Sequence, residues 1–215
     1  MEYSIKLLDT NQEIAKQMLK AVTDKTQKIL YAAKPNIENA VRIVFGESIK
    51  KSPTVQALIH DDEFRGAMGV VDPEEDIEYL VKYLNANVLV GITHGELGLK
   101  VFLLRPGYSE IADDPKFIIT DKTREALPWL KWLLERGDDI IIQNYFVKYD
   151  EFNPGVSRTG LAIMIKGQGK FFRIPPEYAG TEENNFITQE GDFLLEEHTI
   201  DYIVKTEIQS AAKTI

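Results

Sequence analysis

The run His60-Asp61-Asp62-Glu63 places four potential metal ligands in a row. Imidazole and carboxylate groups hold divalent ions in hydrolases, so one interpretation is a small metal-dependent hydrolase that uses His60, Asp61 and Asp62. Consecutive side chains do not all face one ion, however. No second histidine lies at the i, i+4 spacing that puts two imidazoles on one helical face. The spacing favours a solvated turn, and we predict no metal site here.

Nucleophilic chemistry has few candidates in this chain, which contains three histidines and no cysteine. His94 is predicted at the end of a strand and His198 lies among charged residues. A serine–histidine pair would require Ser109 or Ser157 to approach one of them in the fold. The absence of cysteine excludes thiolate catalysis, disulfides and Cys-ligated zinc or iron–sulfur centres. We therefore predict no catalytic residue, no cofactor and no enzymatic activity.

Gly167-Gln168-Gly169 is a glycine-rich sequence that could cradle a phosphate. A phosphate loop follows a strand and opens a helix, whereas the apolar residues 170–174 follow this one. A hairpin turn between strands at residues 161–166 and 170–174 is the better interpretation.

Two aromatic and two basic residues remain as candidates for contact with a partner. Trp129 and Trp132 are three apart in a predicted helix, where they would form an aromatic contact face or part of the core. Tryptophans at helical spacing favour the core. Arg158 and Arg173 are either interface anchors or solvated charges at strand ends, and neither has an evident catalytic partner.

Composition narrows the class of protein. The 215 residues are 44% hydrophobic, enough for one large domain or two small ones. The 25 basic and 34 acidic residues give 25 − 34 = −9, which argues against a broad electrostatic grip on nucleic acid. Uninterrupted apolar runs are far shorter than the ~20 residues of a membrane helix, and no signal segment is evident. We expect a soluble protein with no membrane partner.

The first 86 residues are predicted to be almost wholly helical. Residues 1–9 alternate between polar and apolar and predict a short strand or an arm. Pro35 is predicted to end the first long helix, and Asp72-Pro73 is a strong helix start because an acidic cap and an early proline suit the exposed amides. The predicted helices cover residues 10–33, with Thr10 or Asn11 as cap, then 37–52, 54–59 and 73–84.

Residues 87–215 are predicted to form an α+β core with a C-terminal helix. The order of the predicted helices and strands along the chain predicts an α+β fold, with helices packed on a mostly antiparallel sheet. Residues 1–86 and 87–215 are expected to form one structural unit. Besides the strands already given, strands are predicted at residues 87–94, 99–104, 117–120 and 140–148. Loops are predicted at residues 105–114 and 149–160. Helices are predicted at residues 124–136, from Thr181 onward, and at residues 193–212.

A set of motifs resembles a family of virion structural proteins of tailed bacteriophages, many of them from marine phages. The motifs are LPWLKWLLERG from Leu127, SRTG from Ser157 with AIM from Ala162, FRIPPEYAGT from Phe172 and NFIT from Asn185. The chain is also loosely similar to neck and tail-completion proteins, which share a layout of helices on an antiparallel sheet. The resemblance covers about residues 123–188 and transfers no catalytic residue.

The resemblance implies a structural role in the neck, or head–tail connector, as a tail-completion or tail-terminator protein. The expected partners are copies of itself in a ring, other neck, portal-adaptor or tail proteins, and passing DNA that is not read by sequence. The expected location is the virion, after assembly in the host cytoplasm. A baseplate or tail-tip protein is the alternative within the structural class. Arms and long loops at residues 1–9, 105–121 and 149–158, together with sheet edges, are the predicted contacts.

Overall fold

A computed structural model describes residues 10–93, 98–103, 108–120, 126–137, 140–148 and 163–215. The helices are α1 (Asn11–Lys51), α2 (Pro53–His60), α3 (Asp62–Met68), α4 (Pro73–Ala86), α5 (Tyr108–Ala112), α6 (Trp129–Glu135), α7 (Phe186–Glu196) and α8 (Thr199–Thr214). The strands are β1 (Val88–Thr93), β2 (Gly98–Leu103), β3 (Ile118–Thr120), β4 (Ala126–Pro128), β5 (Ile140–Lys148) and β6 (Ile163–Arg173). The predicted strand or arm at residues 1–9 and the loop at 149–160 lie outside the described residues.

Helix α1 runs through Pro35, so the predicted break at this residue is wrong. Proline removes one backbone donor and strains the turn before it. The buried side chains nevertheless recur at three- and four-residue intervals on both sides of Pro35, and a helix that keeps one buried face in phase continues. Thr10 is the cap, as predicted: its hydroxyl accepts from the amide of Glu13 at 3.3 Å, and the Glu13 carboxylate accepts from the Thr10 amide at 2.8 Å. The buried residues of this face are Leu30, Ala33, Ile37, Val41, Phe45 and Ile49.

The helix starts that follow are fixed by local capping. The Ser52 hydroxyl accepts from the amide of Val55 at 3.4 Å, and Pro53 occupies the first turn of α2. A carboxylate oxygen of Asp72 accepts from the amide of Glu75 at 3.2 Å at the start of α4. The predicted helices in this region are confirmed, and α4 extends two residues beyond the expected Leu84.

The six described strands form three two-stranded sheets, pairing β1 with β2, β3 with β4 and β5 with β6. The last two pairs are antiparallel. The α+β class is confirmed, with a helical N-terminal region and C-terminal helices. Among the described residues, three separate pairs of strands therefore stand in place of the one sheet that was predicted.

The predicted hairpin turn at Gly167-Gln168-Gly169 is wrong, because these residues lie inside the single strand β6. The partner of Gln143 is Phe171 and that of Tyr145 is Lys166, so four residues of β6 stand opposite one of β5. Gly169 has φ +74°, a conformation that favours glycine and permits such a bulge.

Two further segments depart from the expected elements. Residues 126–128 of the predicted helix form strand β4, paired with β3, because the residue before Pro128 is driven to an extended conformation. The helix begins only at Trp129. The predicted loop at residues 105–114 contains the short helix α5, and the brief strand expected at 117–120 is confirmed as β3.

The C-terminal region contains two helices, as expected, but the first extends to Glu196 and the second begins at Thr199 instead of residue 193. The first, α7, begins at Phe186 and not at Thr181, because Asn185 is its cap. The Asn185 side chain accepts from the amides of Ile187 and Thr188, and the Thr188 hydroxyl accepts from the Asn185 amide at 2.8 Å. Gly191 lies within α7. The helix stops before His198, whose φ of 54° is left-handed, and α8 follows.

The chain divides into two compact units, each built from separated segments. Unit 1 comprises Met1–Val41, Leu89–Phe102 and Ile200–Ile215, and unit 2 comprises Arg42–Val88 and Leu103–Thr199. The largest fully buried side chains of unit 2 are Ile49, Leu58, Met68, Leu80, Ile111, Phe117, Trp129, Leu130, Leu133, Leu134 and Ile174.

Candidate functional site

The run from His60 to Glu63 forms the junction between α2 and α3, where Asp61 caps both helices. His60 ends α2, and a carboxylate oxygen of Asp61 accepts from the amides of Glu63 at 2.9 Å and Phe64 at 3.0 Å, which starts α3. Asp62 pairs with Arg65. In the part of the chain that the structure describes, no three His, Asp or Glu side chains are placed to hold a metal ion. His60, Asp61 and Asp62 do not form such a group with other described residues.

The other sequence candidates within the described residues belong to different elements. His198 lies in the turn between α7 and α8, and Ser109 belongs to α5. Arg173 is exposed at the end of β6. The glycines of residues 167–169 lie within a strand, so they lack the strand–loop–helix setting of a phosphate cradle. His94, Ser157 and Arg158 fall outside the described residues.

Trp129 is a core residue of unit 2, which confirms the core interpretation for this tryptophan. Its side chain is fully buried and packs edge-on against Phe117, with ring centroids 5.5 Å apart. Phe117 in turn lies 5.7 Å from the ring of Tyr79. Trp132 is only half-buried, so it belongs to the margin of this aromatic cluster.

A charged network joins α4 to the segment between α5 and β3. The Lys116 ammonium lies 2.6 Å from a Glu75 oxygen and 3.2 Å from an Asp76 oxygen, and the pKa of Lys116 is raised by its hydrogen bonds to these carboxylates. Burial raises the pKa of Asp76, although its bond to Lys116 acts in the opposite direction. The Tyr79 hydroxyl donates to Asp114 at 2.9 Å, which raises the tyrosine pKa. These contacts fix the position of α4 and of the residues beside it.

One face of α4 and one face of the last turns of α1 line a groove of about 650 Å³, which we call the α4 groove. Its floor includes Gly46, where a Cβ would lie 2.8 Å from a methyl carbon of Val81. Ile43 lies at its edge with 57% of its surface exposed. Sequence reasoning missed this groove, since the spacing of its α1 residues only indicates a helical face. The lining residues are Ile43, Gly46, Glu47 and Lys50 of α1 and Glu75, Glu78, Tyr79, Val81, Lys82 and Asn85 of α4.

Residues 11–29 of α1, which we call the α1 arm, contain no buried residue. Three large apolar side chains of the arm are exposed: Met18 by 64%, Leu19 by 67% and Val22 by 59%. The arm carries four lysines and two acidic residues, so its charge is 4 − 2 = +2. The remainder of the chain therefore carries −9 − 2 = −11. The arm is a basic, amphipathic helical surface on an acidic protein.

Comparisons with known proteins give no assignment, since no family model, curated protein or solved structure matches the chain. None of the described helices combines the length and the apolar character needed to cross a bilayer.

Proposed function

We propose that this protein is a non-enzymatic structural component of a tailed-phage virion, at the neck or head–tail connector, where copies assemble into a ring around the DNA channel. The observation that carries the structural role is the α1 arm. Its 19 residues span about 28 Å of helix without burying one side chain. The resemblance of residues 123–188 to phage virion proteins supports the virion setting.

A helix with an exposed apolar face becomes more stable when a partner surface covers that face. Most helical stability in proteins comes from the packing of an apolar face. The exposed Met18, Leu19 and Val22 form such a face without a core behind it. Exposed apolar patches rimmed by polar groups mark protein–protein contacts. An assembly protein presents a surface of this type to its neighbours.

The acidic balance of the chain supports a location beside moving DNA. A net charge of −9 disfavours adhesion to phosphates, whereas a positive lining would bind them. The hypothesis is that acidic residues face the channel of the assembled ring. A charge map of the assembled ring that shows a basic channel would contradict it.

The proposal is tested with the full-length protein at micromolar to millimolar concentration. Size-exclusion chromatography with light scattering should give a mass several times 24.5 kDa, and negative-stain images should show closed rings. Labelling of the protein in intact particles should then place it between head and tail. A strictly monomeric protein that is missing from particles would refute the proposal, and a label at the far end of the tail would indicate a baseplate or tail-tip protein.

A further inference from the structure

The α1 arm and the α4 groove have complementary chemistry. The arm offers three exposed apolar side chains, Met18, Leu19 and Val22, on a helix of charge +2. The groove has an apolar floor of Gly46 and Val81. Helix α4, taken with its cap Asp72, carries one lysine and five acidic residues, so its charge is 1 − 5 = −4. An amphipathic helix that lays its apolar face in a groove uses this combination of contacts.

The charged residues that line the groove are three glutamates and two lysines, which give a net charge of 2 − 3 = −1. Glu47 is exposed on the α1 side, and Glu75 and Glu78 are each 66% exposed on the α4 side. Glu78 pairs with Lys50 and Glu75 pairs with Lys116, both at 2.6 Å, so these charges are partly neutralised within the copy that carries the groove. Carboxylates spaced along the rim can meet lysines of an incoming basic helix, which steers its approach and selects its register.

The arm and one wall of the groove belong to the same helix. Helix α1 is continuous from Asn11 to Lys51, with the arm in its first half and Ile43, Gly46 and Lys50 in its last turns. A continuous helix cannot dock against its own other end. An arm that occupies the groove must therefore come from another molecule.

We propose that the α1 arm of one copy docks in the α4 groove of a second copy, with Met18, Leu19 and Val22 against the groove floor. This inference rests on the proposed self-assembly and specifies its contact. The contact joins two different surfaces, so the two end copies of an open chain leave one arm and one groove free for further copies. Such a head-to-tail contact produces a closed ring when the rotation per copy closes, and a filament when it does not.

Cysteine cross-linking tests the contact directly, because the chain has no cysteine of its own. Leu19→Cys and Ile43→Cys are made separately, both at exposed positions, and the two proteins are mixed and oxidised. A covalent dimer is expected in the mixture and absent from either variant alone. The matched control replaces Ile43→Cys by Val71→Cys, which is 67% exposed but does not line the groove, and should give no dimer. Equal yields from both mixtures would overturn the docking.

A complementation experiment separates this inference from the proposed function. The arm variant carries Leu19→Asp with Val22→Asp, and the groove variant carries Ile43→Asp. Each should weaken self-association at least about tenfold, while Val71→Asp should not. An equimolar mixture of the arm and groove variants should form a dimer and nothing larger, since one functional arm meets one functional groove.

The outcomes of this experiment are distinct. A wild-type protein that assembles, with arm and groove variants that assemble equally well, would overturn the docking and leave the proposed function standing. Assembly lost in the arm variant alone would indicate a symmetric arm–arm contact and would also overturn it. A wild-type protein that is monomeric throughout would remove both proposals.

Discussion

Gly180 and Leu133 approach so closely that no side chain fits between them. A Cβ built on Gly180 would lie 2.3 Å from the carbonyl oxygen of Leu133 and 2.7 Å from the Cβ of Asn185. The amide of Gly137 donates to the carbonyl of Gly180 at 2.8 Å. The end of α6 and the segment before α7 are thereby held together by backbone contacts in unit 2.

Gly180→Ala should therefore destabilise the protein by about 1–3 kcal/mol, because backbone atoms must move to admit the methyl group. Urea unfolding followed by circular dichroism measures the change. Gly191→Ala is the matched control: its Cβ would lie 3.5 Å from Leu103, an ordinary contact, inside a helix. That variant should be about 0.5–1 kcal/mol more stable, and equal effects at the two glycines would contradict the close approach.

Pro35→Ala should stabilise the protein by about 1–3 kcal/mol, because it restores a helical amide and removes the clash with the preceding turn. Thermal unfolding followed by helical circular dichroism is the measurement. Asn36→Ala, at the exposed neighbouring position, is the control, because it measures the increase in stability that comes from helix propensity alone. A loss of helical signal in Pro35→Ala would show that the chain needs a break at this position.

Asp61→Ala should cost about 1 kcal/mol, the usual cost of removing a helix cap. Because His60, Asp61 and Asp62 form no metal cluster, Mg²⁺ or Zn²⁺ should leave the melting temperature of the wild type unchanged. Asp62→Ala is the control, since it removes only an exposed ion pair with Arg65. A metal-dependent rise in melting temperature that disappears in His60→Ala and Asp61→Ala would favour the hydrolase interpretation.

Asp76→Asn should make the protein more stable than the wild type at pH 7. Burial raises the pKa of Asp76 in the folded state above its ordinary value of 3.8, so the folded state holds this proton more tightly than the unfolded state. The contribution of Asp76 to stability consequently falls as pH rises from about 4 through the folded-state pKa. The difference between variant and wild type, measured by urea unfolding, should shrink towards zero near pH 3. A difference that does not change with pH would contradict the raised pKa.

Elements with a local cause were predictable from the sequence. Asp72 and Pro73 start α4 because capping depends only on neighbouring residues. The continuity of α1 was also present in the sequence, since Ala33, Ile37 and Val41 keep one helical phase across Pro35. The proline rule alone predicts a division of α1 at Pro35, whereas the periodicity of its buried face predicts the continuous helix.

Features that depend on distant partners were not predictable in the same way. The bulge at residues 167–170 exists because β5 pairs on both sides of it, whereas the local glycines also suit a hairpin turn. The α4 groove requires α1 and α4 to lie side by side, and no spacing within either helix contains that information. The ion pair between Asp76 and Lys116 likewise joins residues that are distant in the sequence, so no local pattern predicts it.

The positions of the two tryptophans provide an optical means of following the units separately. The sequence contains two tryptophans, Trp129 and Trp132, and both belong to α6 in unit 2. Indole emission therefore reports on that unit alone, whereas far-ultraviolet circular dichroism also includes the α1 arm and α8. Melting curves from the two signals that do not coincide would show that the units lose their structure at different temperatures.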